Sequence, residues 1–254
     1  MARSQVKRAS RVKSSSASGR AEGPSPSYAD MLRARIADPE HSKGQRTRWT
    51  LLASAAEMLE ERGYTGLRVT DVNEKAGVSN ALFYLYFKNK EEITREVMTG
   101  FLEVLFARDD ASPKPQSVEE AIFRGNYDYL RHFAANPGLM RCLMQFGDEI
   151  SEFGRLWRES SHGWVARVAR RLAREPELAG RDLDELSAQV TALGAMVDGY
   201  LRAIYVEKVP SAVETLKAIA PDAAARALFL TQLWVRAIYC RDMHWSPGDS
   251  LKST

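Results

Sequence analysis

From Thr47 onward, apolar residues recur at helical spacing. Leu51, Leu52, Ala55, Met58 and Leu59 fall at i, i+1, i+4, i+7 and i+8, one face of a 3.6-residue period. Thr47 or Thr50 is placed to cap the start of this helix, and Gly63 stands where a C-terminal glycine belongs. After the turn Tyr64-Thr65-Gly66-Leu67 the spacing predicts a short helix from about residue 70 to Ala76, stopped by Gly77. Ser79 can cap a second short helix over 79–86. Lys88-Asn89-Lys90 then breaks the pattern, and Glu91-Glu92 open a longer helix to about Arg108. Asp109 to Ser117, with two prolines, reads as a loop. Beyond it the pattern is helical over about 117–135, 138–146, 149–175, 182–206, 211–220 and 222–241. Breakers such as Asn136-Pro137-Gly138, Pro176, Pro210 and Pro221 separate these segments. No run shows sustained strand alternation and no fixed-period repeat is present, so the expected class is all-α.

Upstream of Thr47 the pattern fades. Residues 1–27 are rich in Ser, Arg and Lys with almost nothing apolar to bury, the composition of disorder. Residues 28–41 are ambiguous, with Met31, Leu32 and Ile36 able to share a face of one or two helical turns before Asp38-Pro39. The expected organisation is a disordered basic extension over 1–44, a small helical domain over 45–93, a larger helical domain over 94–241, and a tail over 242–254.

The segment Ala76-Gly-Val-Ser-Asn-Ala-Leu-Phe-Tyr-Leu-Tyr-Phe87 carries the candidate chemistry. Two short helices joined by a glycine turn, behind a longer helix, describe a helix-turn-helix with its motif over about 68–87. The major groove admits one helix. Val78, Phe83 and Phe87 can supply the core side of the second helix, leaving Asn80, Leu82, Tyr84 and Tyr86 for bases and phosphates, with lysines just beyond.

Residues 46–93 resemble the DNA-binding domain of the tetracycline-repressor (TetR) family of bacterial transcription regulators. The resemblance rests on the Ala-Ala…Leu pattern of the first helix, Glu61-Arg62-Gly63-Tyr64, Thr70-Asp71-Val72, Gly77-Val78-Ser79, Phe83-Tyr84, Tyr86-Phe87 and Lys90-Glu91. It implies an N-terminal three-helix helix-turn-helix domain followed by a C-terminal helical ligand-binding and dimerisation domain. It also implies DNA contacts from Thr47, Arg68, Thr70, Ser79, Asn80, Ala81, Leu82, Tyr84, Tyr86, Lys88 and Lys90. Asn80 could read adenine, and Leu82 could meet a thymine methyl. Three positions depart from the family pattern. Arg68 replaces a hydroxyl cap, Asn73 replaces an alanine, and Ala81-Leu82 replaces Gly-Thr. With arginine unable to accept, either Thr70 caps a helix that starts later, or Arg68 binds phosphate and the helix end is frayed.

The same resemblance implies a homodimer built by the last two long helices, through Ala192, Ala195, Met196, Gly199, Leu230, Leu233, Trp234 and Ala237. It further implies a pocket for an unidentified apolar or amphipathic effector, with Phe101, Leu105, Phe123, Tyr127, Met140, Met144, Trp157 and Trp164 as candidate walls. For any one of these aromatic or methionine residues, ordinary core packing is the plain alternative. The functional expectation is a sequence-specific transcriptional regulator, a repressor released from a palindromic operator by a small molecule. The alternative is a ligand-independent architectural or interaction protein using the same motif.

Composition narrows the other classes. Hydrophobic residues make up 44% and charged residues 27% of 254, with a net charge of +3. The first twenty residues hold Arg3, Lys7, Arg8, Arg11, Lys13 and Arg20 without an acid, which suits a nonspecific phosphate clamp, a minor-groove arm or an idle tail. No apolar stretch is long enough for a membrane helix and no secretory h-region opens the chain, so no membrane partner and a cytoplasmic location are expected. Cys142 and Cys240 have no metal-ligand spacing, and the four histidines are scattered. No phosphate loop, nucleophile elbow or zinc-protease motif is found, and neither catalysis, metal nor cofactor is expected.

Overall fold

The computed structural model describes residues 25–107, 114–115, 117–147 and 152–239. The basic residues of 1–20, Cys240 and the 242–254 tail lie outside this set. Eleven α-helices run through the described residues: α1 (Tyr28–Ile36), α2 (Lys43–Gly66), α3 (Val69–Ala76), α4 (Asn80–Tyr86), α5 (Lys90–Leu105), α6 (Val118–Ala135), α7 (Pro137–Gly147), α8 (Glu152–Leu172), α9 (Leu183–Leu201), α10 (Pro210–Ile219) and α11 (Ala223–Tyr239). A 3-10 turn lies between α8 and α9, and a π-helical stretch, Arg202–Val206, extends α9. The all-α class is as expected.

Local chemistry accounts for most boundaries. Ser79 Oγ accepts from the Leu82 N–H at 3.2 Å, Asn89 Oδ1 from Glu92 N–H at 2.9 Å, and Ser117 Oγ from Glu120 N–H at 3.1 Å. Gly77 closes α3 in the left-handed region, at φ 68°, where a Cβ would be strained. The long first helix begins four residues before Thr47. Ser42 and Gln45 form a capping box there, while Thr47 and Thr50 instead donate back to the carbonyls of Lys43 and Arg46. The same helix kinks at Gly63, φ 69°, and a last turn reaches Gly66.

One expectation is overturned. Residues 28–36 are not part of a disordered extension but a capped helix, with Ser27 and Asp30 forming its capping box. Tyr28, Ala29 and Leu32 are buried in the main core. The Tyr28 ring packs against Phe101 at 5.6 Å between centroids, and its N–H donates to Asn136 Oδ1 at 2.7 Å. The shared face of Met31, Leu32 and Ile36 allows these turns, but what fixes them lies far off in the chain, in α5 and at the α6–α7 junction.

The DNA-binding head and the helical body share one core. Leu51, Leu59, Ile93, Phe101, Leu130, Phe133 and Leu143 are all buried within it. At the junction, the Glu60 carboxylate of α2 accepts from the N–H groups of Gly138 (2.7 Å) and Leu139 (2.8 Å), which open α7. A carboxylate suits those unpaired donors and the positive end of the helix dipole. Cys142 is packed beside this seam, and burial pushes its thiol up to about 11, as suits an unreactive core residue.

Candidate nucleic-acid interface

The second helix of the motif, α4, is held by its inner side. Phe83 and Phe87 are fully buried, with ring centroids 5.8 Å apart, and Val78 is half-buried against the same core. What faces outward is then set by helical phase: Asn80, Ala81, Tyr84, Leu85 and Lys88 are exposed. Tyr84 is 54% and Leu85 79% exposed, large apolar surface to leave in water on a seven-residue helix. Tyr84 stands edge-on to Phe83 at 5.4 Å, so its ring is braced from below while its hydroxyl remains outward.

The other expected contacts divide. Arg68, Thr70 and Ser79 are exposed beside α4. Arg68 is the N-cap of α3 and makes no side-chain capping bond, nor does Thr70 cap a later start, since its hydroxyl donates to Asp71 Oδ1 at 3.2 Å. The first-turn N–H groups of α3 thus carry no side-chain acceptor, an arrangement that favours an anion. Thr47 and Tyr86 are half-buried. The Tyr86 hydroxyl lies against the N-terminus of α2, where a Cβ on Gly44 would be 3.5 Å from it. Leu82 is half-buried too. The leucine free to meet a thymine methyl is therefore Leu85, which the sequence reading left out. The i, i+4 pairing of Phe83 with Phe87 was the signal, since it turns 81, 84, 85 and 88 outward.

Two side chains have prior engagements. The Lys90 ammonium lies 3.4 and 3.5 Å from the carbonyls of Tyr64 and Leu67 and 4.4 Å from the Tyr64 ring centroid. It braces the turn between α2 and α3. Asn73 is buried in α3, and its Nδ2 donates to Asn80 Oδ1 at 3.1 Å across the helix-turn-helix. Asn73 Oδ1 has no partner. Asn80 consequently presents its own Nδ2 as the free end, a donor suited to a base acceptor, with a single lone pair left on its oxygen.

Residues 51–97 match the model of the family described as "Bacterial regulatory proteins, tetR family". That match covers α2 from its core face through the first half of α5, the segment that builds this exposed surface. Residues 51–97 thus form a TetR-family DNA-binding domain. The chain is a DNA-binding transcriptional regulator. The chain is 26% identical over 197 residues to the HTH-type transcriptional regulator EthR of Mycolicibacterium smegmatis, covering 74% of this chain and 84% of that one. It is 34% identical over 92 residues to the HTH-type transcriptional repressor KstR2 of Mycobacterium tuberculosis, covering 35% of this chain and 46% of the relative. In fold it resembles FadR of Bacillus subtilis, solved in complex with stearoyl-CoA, with a TM-score of 0.58 at 17% identity over 74% of this chain and 97% of that one.

Behind the head, the chain forms a partly open cavity of about 830 Å³ between the end of α5 and α6, α8, α9 and α11. That volume is within the range of small-molecule sites. Of the expected walls, Leu105, Trp157 and Trp164 line it. Phe101 and Met140 do not, being sealed in the core. Phe123 and Tyr127 stack on each other at 5.9 Å outside the lining, and Met144 packs against the main core. Phe106 lines it as well, with Val118, Ile122, Tyr129, Val168 and Asp198, which periodicity cannot assign to one shared space.

The expected dimer residues also split. Ala192, Ala195, Met196 and Gly199 form one exposed face of α9, at i, i+3, i+4 and i+7, and Ala237 is exposed on α11 with Leu233 half-buried. Leu230 and Trp234 point inward instead. Leu230 is 1% exposed, and Trp234 meets Trp164 edge-on at 6.0 Å. Leu228, 51% exposed, faces outward on α11 instead. Among the described residues no helix is long and apolar enough to cross a membrane, and no three ligating side chains cluster as for a metal.

Proposed function

We propose that this chain is a cytoplasmic homodimeric repressor that leaves a palindromic operator when a small molecule occupies the cavity between α6, α8, α9 and α11. The observation carrying the DNA reading is the outward face of α4, Asn80, Ala81, Tyr84, Leu85 and Lys88, on a helix fixed by buried Phe83 and Phe87. Arg68, Thr70 and Ser79 serve phosphates, and Tyr84 spans backbone and base edge. One such helix reads few base pairs, so two heads held by the small-residue face of α9 and by Leu228 and Ala237 of α11 raise both affinity and selectivity. The name of a relative as a repressor and the stearoyl-CoA bound to a protein of like fold support repression and small-molecule release. A ligand favouring one spacing of the heads shifts the equilibrium by its differential affinity for the two states.

Selection of bound sequences from a random double-stranded library at fixed near-physiological salt tests this reading. The expected outcome is a palindrome with half-site centres about 34–36 Å apart or a multiple of that. Enrichment of no sequence, with binding that vanishes as salt rises, would leave a chain that holds DNA without reading it.

A further inference from the structure

One wall of the cavity carries a charge that its surroundings do not balance. Asp198 of α9 lines the space and accepts a hydrogen bond from the Tyr129 hydroxyl of α6 at 2.5 Å. Among the described residues it has no ion pair. Burial raises its carboxyl to about 6 against the pull of the Tyr129 bond, so it is largely ionised at neutral pH. A half-buried carboxylate with a single hydrogen-bond partner still lacks a cation. The aromatic groups Tyr129, Trp164 and Trp234 share the same lining, and indole and phenol faces attract positive charge.

Resting on the reading of this cavity as the effector site, we propose that it selects an organic cation. The ligand is a protonated amine on an apolar body, with the ammonium on Asp198 and the body against Trp164, Trp234 and Trp157. A purely apolar chain would strip more water from Asp198 and give nothing back. Arg167, Arg170, Arg171 and Arg174 also line the cavity, yet all four are exposed, where solvent and salt screen them. The half-buried carboxylate therefore outweighs them in selecting charge.

The test titrates the full-length protein with 4-phenylbutylamine, 4-phenylbutanol and 4-phenylbutyrate, which share a body and differ in the head group. Binding is read by calorimetry and by the fluorescence of the cavity tryptophans. The amine should bind at least about tenfold tighter than the alcohol. In Asp198→Asn that preference should vanish while alcohol affinity stays within about threefold, since an amide keeps the Tyr129 bond and the shape of the wall. Equal binding of amine and alcohol, or a preference that survives Asp198→Asn, overturns the proposal and leaves the cavity as an effector site. Tightest binding by 4-phenylbutyrate also overturns it, passing selection to the arginines. No binding by any of the three overturns the effector reading and the proposal together.

Discussion

Replacing Gly138 with alanine should loosen the seam between the DNA-binding head and the helical body. A Cβ on Gly138 would stand 2.0 Å from the Glu60 carbonyl oxygen, 2.6 Å from its carbon and 2.7 Å from its Cα. All three atoms are main chain in the middle of α2, so no side-chain rotation relieves the clash. The helices α2 and α7 must separate by roughly an ångström or more, which strains the packing around Leu59 and Cys142 by about 1–3 kcal/mol. Separation also stretches the two bonds from Glu60 to the Gly138 and Leu139 N–H groups, each worth about 1.5–3 kcal/mol as a bond to a charged group. Keeping one of the two gives a net loss of about 3 kcal/mol. For a domain of this size that lowers Tm by roughly 6–12 °C. Differential scanning calorimetry of the full chain at neutral pH measures it. Glu60→Gln serves as the companion, losing charge without volume, and should cost about half as much. A Gly138→Ala protein melting within about 2 °C of the parent would refute the reasoning, because the close approach would then be easily relieved.

Four further perturbations have expected outcomes. Deleting residues 1–24 should flatten the slope of log operator affinity against log salt if the basic residues clamp phosphate, with no change in Tm. Deletion through Asp30 should also cost about 3 kcal/mol, by removing the buried Tyr28 and the cap of α1, which thermal melts would separate from the salt effect. Asn73→Ala removes a buried acceptor that lacks a partner and frees Asn80. Stability should hold within about 1 kcal/mol, while base preference at the position facing Asn80 relaxes in a binding-site selection. A preference that stays fixed would count against Asn73 as the residue that orients Asn80. Asp198→Asn should stabilise the chain by about 2–3 kcal/mol at pH 8 and by almost nothing at pH 4. The sign follows from the raised carboxyl pKa, from 3.8 to about 6. The folded state holds the proton longer than the unfolded one, so the burden on folding is absent below about pH 4, grows towards pH 6 and is full above it. Equal stabilisation of the variant at both pH values in thermal melts would rule out the half-buried charge as its cause.

Much of the head was legible along the chain. The phase of Leu51, Leu52, Ala55, Met58 and Leu59, the stop at Gly77 and the cap at Ser79 are governed by neighbours within four residues, and all three recur in the structure. The outward face of α4 was legible in part. Asn80, Ala81 and Tyr84 are exposed as expected, but Leu85 rather than Leu82 stands free, because Phe83 and Phe87 anchor the helix and set its rotation. The position of Lys90 after the motif points to phosphate, and the fold also bends the α2–α3 turn under its ammonium.

The body was legible only as a set of helices. By itself, the sequence determined that these segments are helical, where most of them stop, and that a helix-turn-helix lies among them, since each depends on short-range periodicity, caps and breakers. Tertiary structure alone decided that Tyr28 is ordered by Asn136, that Gly138 must admit the backbone of Glu60, and that Tyr129 meets Asp198 in one cavity. Those partners are separated by 108, 78 and 69 positions. A helical period tells which side of its own axis a residue occupies, and nothing about which distant helix will lie against that side.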